Sequence, residues 1–147
     1  MMMRLLTGFA VLLAVSLVVF ASTEETLQGL IARAEAAPLR DRAVLYVEIA
    51  ARQLKSAGAL YDAGKAEQAR IAVQDVITYS SKAHDAAIKS DRKVKNTELA
   101  MRSMARHLRD MKHTLNYEDQ PPVQAAVDRL ETLADDLLSH MFGKGKR

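Results

Sequence analysis

Residues 53–73 read QLKSAGALYDAGKAEQARIAV, and this stretch decides the fold of the chain. Apolar residues recur at spacings of three and four on both sides of its second glycine: Leu54, Ala57 and Tyr61 before it, Ala69 and Val73 after it. Such spacing places the residues on one face of an α-helix. Gly64 stands between the two patterns, where a left-handed glycine ends a helix and turns the chain. The stretch therefore predicts two helices that fold back on each other around Gly64.

The same periodicity extends outward over the rest of the chain. Ala, Leu, Arg, Lys, Glu and Gln dominate, and these residues are good helix formers. Five helices are predicted, over about residues 23–36, 41–63, 66–89, 94–117 and 121–142, with Thr23 as the first N-cap. Their apolar stripes predict a core that includes Val47, Leu54, Val73, Met104, Leu108 and Leu130. Long helices with short connections favour an all-α, antiparallel four-helix bundle-like domain over residues 22–142, with the short first helix laid against it.

The N-terminus has the layout of a secretory signal peptide over residues 1–21. A single charge at Arg4 precedes an apolar run over residues 5–20, and Val19 and Ala21 suit a cleavage site after Ala21. An uncleaved membrane anchor is the alternative, because the run is only slightly shorter than the roughly 20 residues of a spanning helix. The chain has no cysteine, so neither disulfides nor a lipidated cysteine are expected. These features predict an exported protein, periplasmic or extracellular.

The formal net charge of +3 is too small to require nucleic acid as a partner. Contact with a membrane is expected only through the N-terminal segment, if that segment stays uncleaved. Residues 143–147 form a short basic tail, which is too short for more than weak electrostatic attraction.

The segment 53–81 resembles one tetratricopeptide repeat. The residues that carry the resemblance are the small and apolar positions around the turn: Ala57, Leu60, Gly64, Ala69 and Val73. Because the resemblance covers a single repeat and solenoids need about three, it implies a helical hairpin with a tetratricopeptide-like turn rather than a peptide-binding array. As a whole, the chain resembles exported bacterial helical-bundle proteins.

Methionine and histidine side chains suggest a second class of function. Met104, His107 and Met111 share a face of the fourth helix with Met101 one turn earlier, and thioethers with imidazole suit Cu(I). Residues 62–69 are also similar to a hairpin of the exported four-helix cytochromes, which hold haem between a Met and a His. His140 and Met141 are the haem-ligand candidates here. The competing interpretation is that these methionines fill the core, and the favoured prediction assigns no metal and no cofactor.

Apolar residues on more than one helical face predict a surface for a protein or peptide partner or for self-association: Tyr46, Ile49, Ile77 and Tyr79. The alternative is that these four residues bury the first helix. No nucleophile, phosphate loop or metalloprotease motif is present, so a non-enzymatic interaction or scaffold protein is predicted.

A basic stripe on the fourth helix comprises Lys95, Arg102, Arg106, Arg109 and Lys112. Acidic residues of the fifth helix are expected to neutralise it, with Arg109 level with Asp128 and Arg102 level with Asp136.

Overall fold

A computed structural model describes residues 25–143, which are all-helical and contain no β-strand. The predicted signal peptide, the cap at Thr23 and residues 144–147 lie outside the described residues. Five α-helices occur in the described range: α1 (Leu27–Ala36), α2 (Leu39–Asp62), α3 (Ala66–Ser90), α4 (Val94–Lys112) and α5 (Gln120–Gly143). A short 3₁₀ turn, Tyr117–Asp119, precedes α5.

Helix α1 begins later than the sequence predicts. The N-cap is Thr26, whose Oγ1 accepts a hydrogen bond of 3.0 Å from the amide of Gly29. Glu25 and Thr26 are not helical, and Leu27 is the first residue of α1. At the other end, the Arg42 guanidinium donates to the carbonyl oxygens of Ala37 and Glu35, and it thereby satisfies acceptors at the α1–α2 turn.

Helix α4 ends five residues before the predicted Tyr117. The amides of Thr114 and Leu115 donate to the carbonyls of Met111 and Lys112, which are i→i−3 bonds that tighten and close the last turn. Thr114 Oγ1 also donates to the Met111 carbonyl at 2.8 Å. Side-chain bonding to the backbone competes with helix continuation, and the heptad-like spacing that includes Leu115 does not reveal it.

The helices form two antiparallel hairpins. In the α2–α3 hairpin Tyr46 meets Tyr79, and Gln53 donates to Asp75 at 2.7 Å. Gly64 turns this hairpin with φ of +74°, so the left-handed glycine is confirmed. In the α4–α5 hairpin long charged side chains link the helices beside the apolar core, among them the ion pair of Arg102 with Asp135 at 3.0 Å.

The hairpins lie side by side, with α3 against α5 and α2 against α4, while α1 packs on α2. One hydrophobic cluster joins all five helices. Of the six residues predicted to mark the core, five are buried, and Val47 is half-buried and packs against them. The predicted core is therefore confirmed.

Candidate functional site

An open groove of about 570 Å³ lies between α2 and α4. These helices run in the same direction and contact each other less than α3 contacts α5, which leaves space between them. The α2 wall carries small residues, Ala51, Gly58 and Ala59, and the α4 wall carries Met104 and Met111. Small side chains on one wall and flexible thioethers on the other make the groove mainly apolar.

The floor of the groove belongs to the core. Leu54 and Met104 line the groove although they are only 5% and 6% exposed. Met111 is half-buried and lies across Gly58, where an added Cβ would stand 3.5 Å from the Met111 methyl carbon. A side chain at position 58 would therefore fill the groove without displacing backbone.

Polar groups stand at the rim of the groove. Lys55 and Asp62 lie on α2, and Ser103 and His107 lie on α4. Lys55 and Asp62 are seven residues apart, so they occupy the same face of α2 two turns from each other. The groove therefore has an apolar floor and a positively and a negatively charged rim position on one wall.

The structure places the predicted methionine–histidine group partly in this groove. Met104, His107 and Met111 line it together, which confirms that they share a face. Met101 is fully buried and does not line the groove. Within residues 25–143 no cluster of three or more His, Asp or Glu side chains is arranged to hold a metal ion.

The other predicted ligands lie elsewhere. His140 and Met141 are on the last turns of α5, where His140 Nε2 is 3.3 Å from Asp91 Oδ1. Neither residue lines the α2/α4 groove. His84, on α3, bridges Asp85 at 2.9 Å and Asp136 of α5 at 2.5 Å, and so links the two hairpins.

The four apolar residues predicted as a partner surface do not form an open surface. Ile49 is fully buried and Tyr46 is 5% exposed, while Ile77 and Tyr79 are half-buried against the core. Tyr46 and Ile49 are therefore closed to a partner, whereas a partner at Ile77 and Tyr79 stays a prediction. The alternative fits better, since Tyr46 lies against Glu35 of α1.

A charged clamp holds α1 over this region. Lys82 Nζ is 3.0 Å from Glu35 Oε1 and 5.5 Å from the ring centroids of both Tyr46 and Tyr79. The hydrogen bond lowers the pKa of Glu35 and raises the pKa of Lys82. Burial, together with the charge of Glu35, raises the pKa of Tyr46. The aromatic faces thus support a cation that ties α1 to α3.

Helix α5 neutralises part of the basic stripe of α4. Arg102 pairs with Glu98 and Asp135, and Arg109 pairs with Glu131. The pKa of Arg102 is raised by its hydrogen bond to Glu98 and then by that to Asp135. Neutralisation by the facing helix is confirmed for Arg102 and Arg109, but each of the two meets a carboxylate near the predicted one rather than Asp128 or Asp136.

The α2 wall of the groove is the part that sequence analysis missed. Ala51, Lys55, Gly58 and Asp62 recur at spacings of four, three and four, so they form a second face of α2 beside the core stripe. The small residues Ala51 and Gly58 on this face leave space beside α2. In the sequence this pattern of small residues is masked by the general abundance of alanine.

Comparisons with family models, with curated proteins and with solved structures find no match to this chain. Across residues 25–143, no helix is long and apolar enough to cross a membrane.

Proposed function

We propose that this chain is an exported, non-enzymatic interaction protein of the cell envelope, and that its α2/α4 groove binds an amphipathic helix of a partner protein. In this proposal α2 to α5 form an antiparallel four-helix bundle with α1 laid against it, behind a signal peptide over residues 1–21. The observation that carries it is the groove itself, with Leu54 and Met104 as its floor.

The chemistry of the groove suits a helical occupant. Helices dock in apolar grooves through large side chains at spacings of three and four, and methionines adapt to such anchors because they are flexible and polarisable. Lys55 and Asp62 favour a partner helix with an acidic residue and a basic residue two turns apart, each facing its opposite charge. A second copy of this chain and a non-helical peptide are the alternatives that the experiment separates.

The test fills the groove and asks whether capture is lost. Gly58→Leu puts a branched side chain beside Met111, whereas Ser56→Leu adds the same side chain on an exposed, non-groove face of α2. Both variants are expected to keep their helical circular dichroism. Capture of partner from the native envelope is expected to be lost for Gly58→Leu alone.

A photoreactive residue at position 51 locates the occupant. It is expected to cross-link the partner, and the same residue at position 56 is not. Mass spectrometry of the product distinguishes a partner helix from a second copy of the chain. Capture that survives a filled groove, or cross-linking that is equal at both positions, would reject the groove as the site.

Export is tested separately by the N-terminus of the protein in its native compartment. Cleavage after Ala21 yields a chain that begins at Ser22. A full-length chain in the membrane fraction would favour the anchored alternative, and a full-length chain in the cytoplasm would reject export.

A second candidate function is Cu(I) binding, and the observation that favours it is that Met104, His107 and Met111 line one groove. Thioether and imidazole groups select Cu(I) over harder cations. Titration of the chain with Cu(I) against a competing chelator is expected to lose binding in His107→Gln and Met111→Leu, but not in Met101→Leu. Equal Cu(I) binding in all three variants would exclude this site. An absorption spectrum without haem bands, recorded after incubation with haem, would exclude His140 and Met141 as haem ligands.

A further inference from the structure

One end of the molecule is made by the α1–α2 turn, the α3–α4 turn and the last turn of α5, and it is named here the basic end. The contact of His140 with Asp91 holds α5 to the α3–α4 turn. A cavity of about 540 Å³ joins Arg33 of α1 and Arg40 of α2 to Lys93 of the α3–α4 turn. Three separate segments therefore contribute to one continuous surface.

The cations of the basic end are only partly neutralised: Arg33 pairs with Glu25 at 2.6 Å, and Asp41 lines the cavity beside Arg40 and Lys93. Arg92 and Lys93 form no ion pair with a carboxylate of residues 25–143, and Arg40 is 3.8 Å from Asp41 with most of its side chain in solvent. Lys89 and Lys95 flank the same turn and are exposed. The first turn of α4 carries no acidic residue, so the helix that follows Lys93 does not neutralise it either. Ion pairs within the fold therefore do not explain why these cations are grouped at this end.

Large apolar side chains are exposed at the same end. Leu39, Val44 and Phe142 are 40%, 49% and 69% exposed, and Val44 lines the cavity beside Arg40 and Lys93. The basic end also holds the carboxylates Asp41 and Asp91, which are outnumbered by its cations.

We propose that the basic end binds the surface of an anionic phospholipid bilayer. Exposed apolar side chains surrounded by lysine and arginine are what interfacial attachment requires, since the cations meet lipid phosphates while the apolar groups enter the acyl boundary. The occupant is a bilayer rather than a small anion, because Leu39, Val44 and Phe142 have no role in holding a free phosphate. This site is separate from the α2/α4 groove and does not depend on the function proposed for it.

The test uses the absence of cysteine from the chain. A polarity-sensitive fluorophore is attached to the full-length chain at Val44→Cys, and in a matched protein at Ile71→Cys. Ile71 is 65% exposed and lies near Pro122, toward the opposite end. The apolar residues 5–20 are expected to bring the chain to any bilayer, so the readout is the position of the label and not the amount of bound protein.

The emission of the Val44→Cys label is expected to shift to the blue with vesicles of phosphatidylcholine and phosphatidylglycerol, but not with phosphatidylcholine alone. The Ile71→Cys label is expected to show no such difference. Reversal of Arg40, Arg92 and Lys93 to glutamate is expected to abolish the shift. The control reversal of Lys65, Arg70 and Arg106 to glutamate changes net charge equally and is expected to preserve it.

Three results would overturn the proposal. These are an equal response to neutral and anionic vesicles at Val44→Cys, an equal shift of the Ile71→Cys label, or a shift that persists after reversal of the three basic-end residues. A shift produced by inorganic phosphate without vesicles would replace the bilayer with a small anion. Circular dichroism of each reversal variant separates loss of binding from loss of fold.

Discussion

The two helical hairpins of this molecule are packed by different kinds of side chain. Eight of the fourteen buried residues of α2 and α3 are alanines, against three of the fourteen of α4 and α5. The first hairpin turns tightly at Gly64, and among the described residues one side-chain hydrogen bond, from Gln53 to Asp75, links its helices. The second is packed by leucine, valine and methionine and is laced by the ion pairs of Arg102 and Arg109.

The comparison shows where a binding groove comes from. Small residues let α2 and α3 approach closely, and they leave α2 with small residues on its neighbouring face as well. Where that face meets the long side chains of α4, the helices do not close on each other, and the α2/α4 groove remains. The groove is thus a consequence of joining an alanine-rich hairpin to one with large side chains.

The largest effect is expected from truncation in the second hairpin. Leu130 is fully buried, so Leu130→Ala removes contacts that the surrounding helices cannot restore. The free energy of unfolding is expected to fall by about 2–5 kcal/mol, as measured by urea denaturation. The control is Leu99→Ala, at a position that is 54% exposed and for which a change within about 0.5 kcal/mol is expected. Equal losses for both variants would contradict the assignment of the core.

The first hairpin is expected to respond to enlargement instead. Ala50 is fully buried on α2, and Ala50→Leu inserts a side chain where close helix approach leaves no space. A loss of about 1–3 kcal/mol in the free energy of unfolding is expected, again by urea denaturation. The neighbouring Ala51 lines the open groove, so Ala51→Leu is expected to leave the free energy of unfolding nearly unchanged. If Ala50→Leu were tolerated, the helices of this hairpin would not be as closely packed as described.

Much of this fold is predictable from sequence, and the parts that are not share a physical cause. Periodicity finds α2 and α3 to within two residues because Pro38 and Gly64 mark their ends with backbone constraints. It extends α4 too far because the bonds that stop it, from Thr114 and Leu115, involve main-chain acceptors that carry no apolar signal. The sequence leaves two interpretations open for Tyr46 and Ile49, since a wide apolar stripe fits either a partner or another helix of the same chain, and tertiary contact decides between them.

The candidate site, like the fold, is predictable from the sequence only in part. Spacing along α4 places Met104, His107 and Met111 on one face, which is a local property of a helix. Whether that face is covered depends on the distance between α2 and α4. That distance depends on the sizes of side chains on the other helices of the fold. Sequence spacing alone holds no information about that distance.

A stabilising change is expected at Ser80. Its side chain is fully buried on α3, and its hydroxyl has no hydrogen-bond partner in the described part of the chain. Ser80→Ala continues the alanine pattern of the hairpin and removes an unsatisfied polar group, so a gain of about 1 kcal/mol in the free energy of unfolding is expected. Thermal and urea denaturation measure it, with Ser56→Ala as the exposed control on α2. A loss of stability in Ser80→Ala would show that the hydroxyl is bonded after all.

The smallest effect is expected at the ion pairs that distinguish the second hairpin. Arg109 pairs with Glu131 across α4 and α5, and both side chains are more than a third exposed. Arg109→Gln is expected to lower the free energy of unfolding by about 0.2–1 kcal/mol at low ionic strength. The difference should vanish at about 1 M salt, where the Debye length falls to about 3 Å. Arg106→Gln, on the same helix but without an ion pair in residues 25–143, supplies the control. A salt-independent loss in Arg109→Gln would assign its contribution to packing of the arginine stem, and the two hairpins would then differ in side-chain size alone.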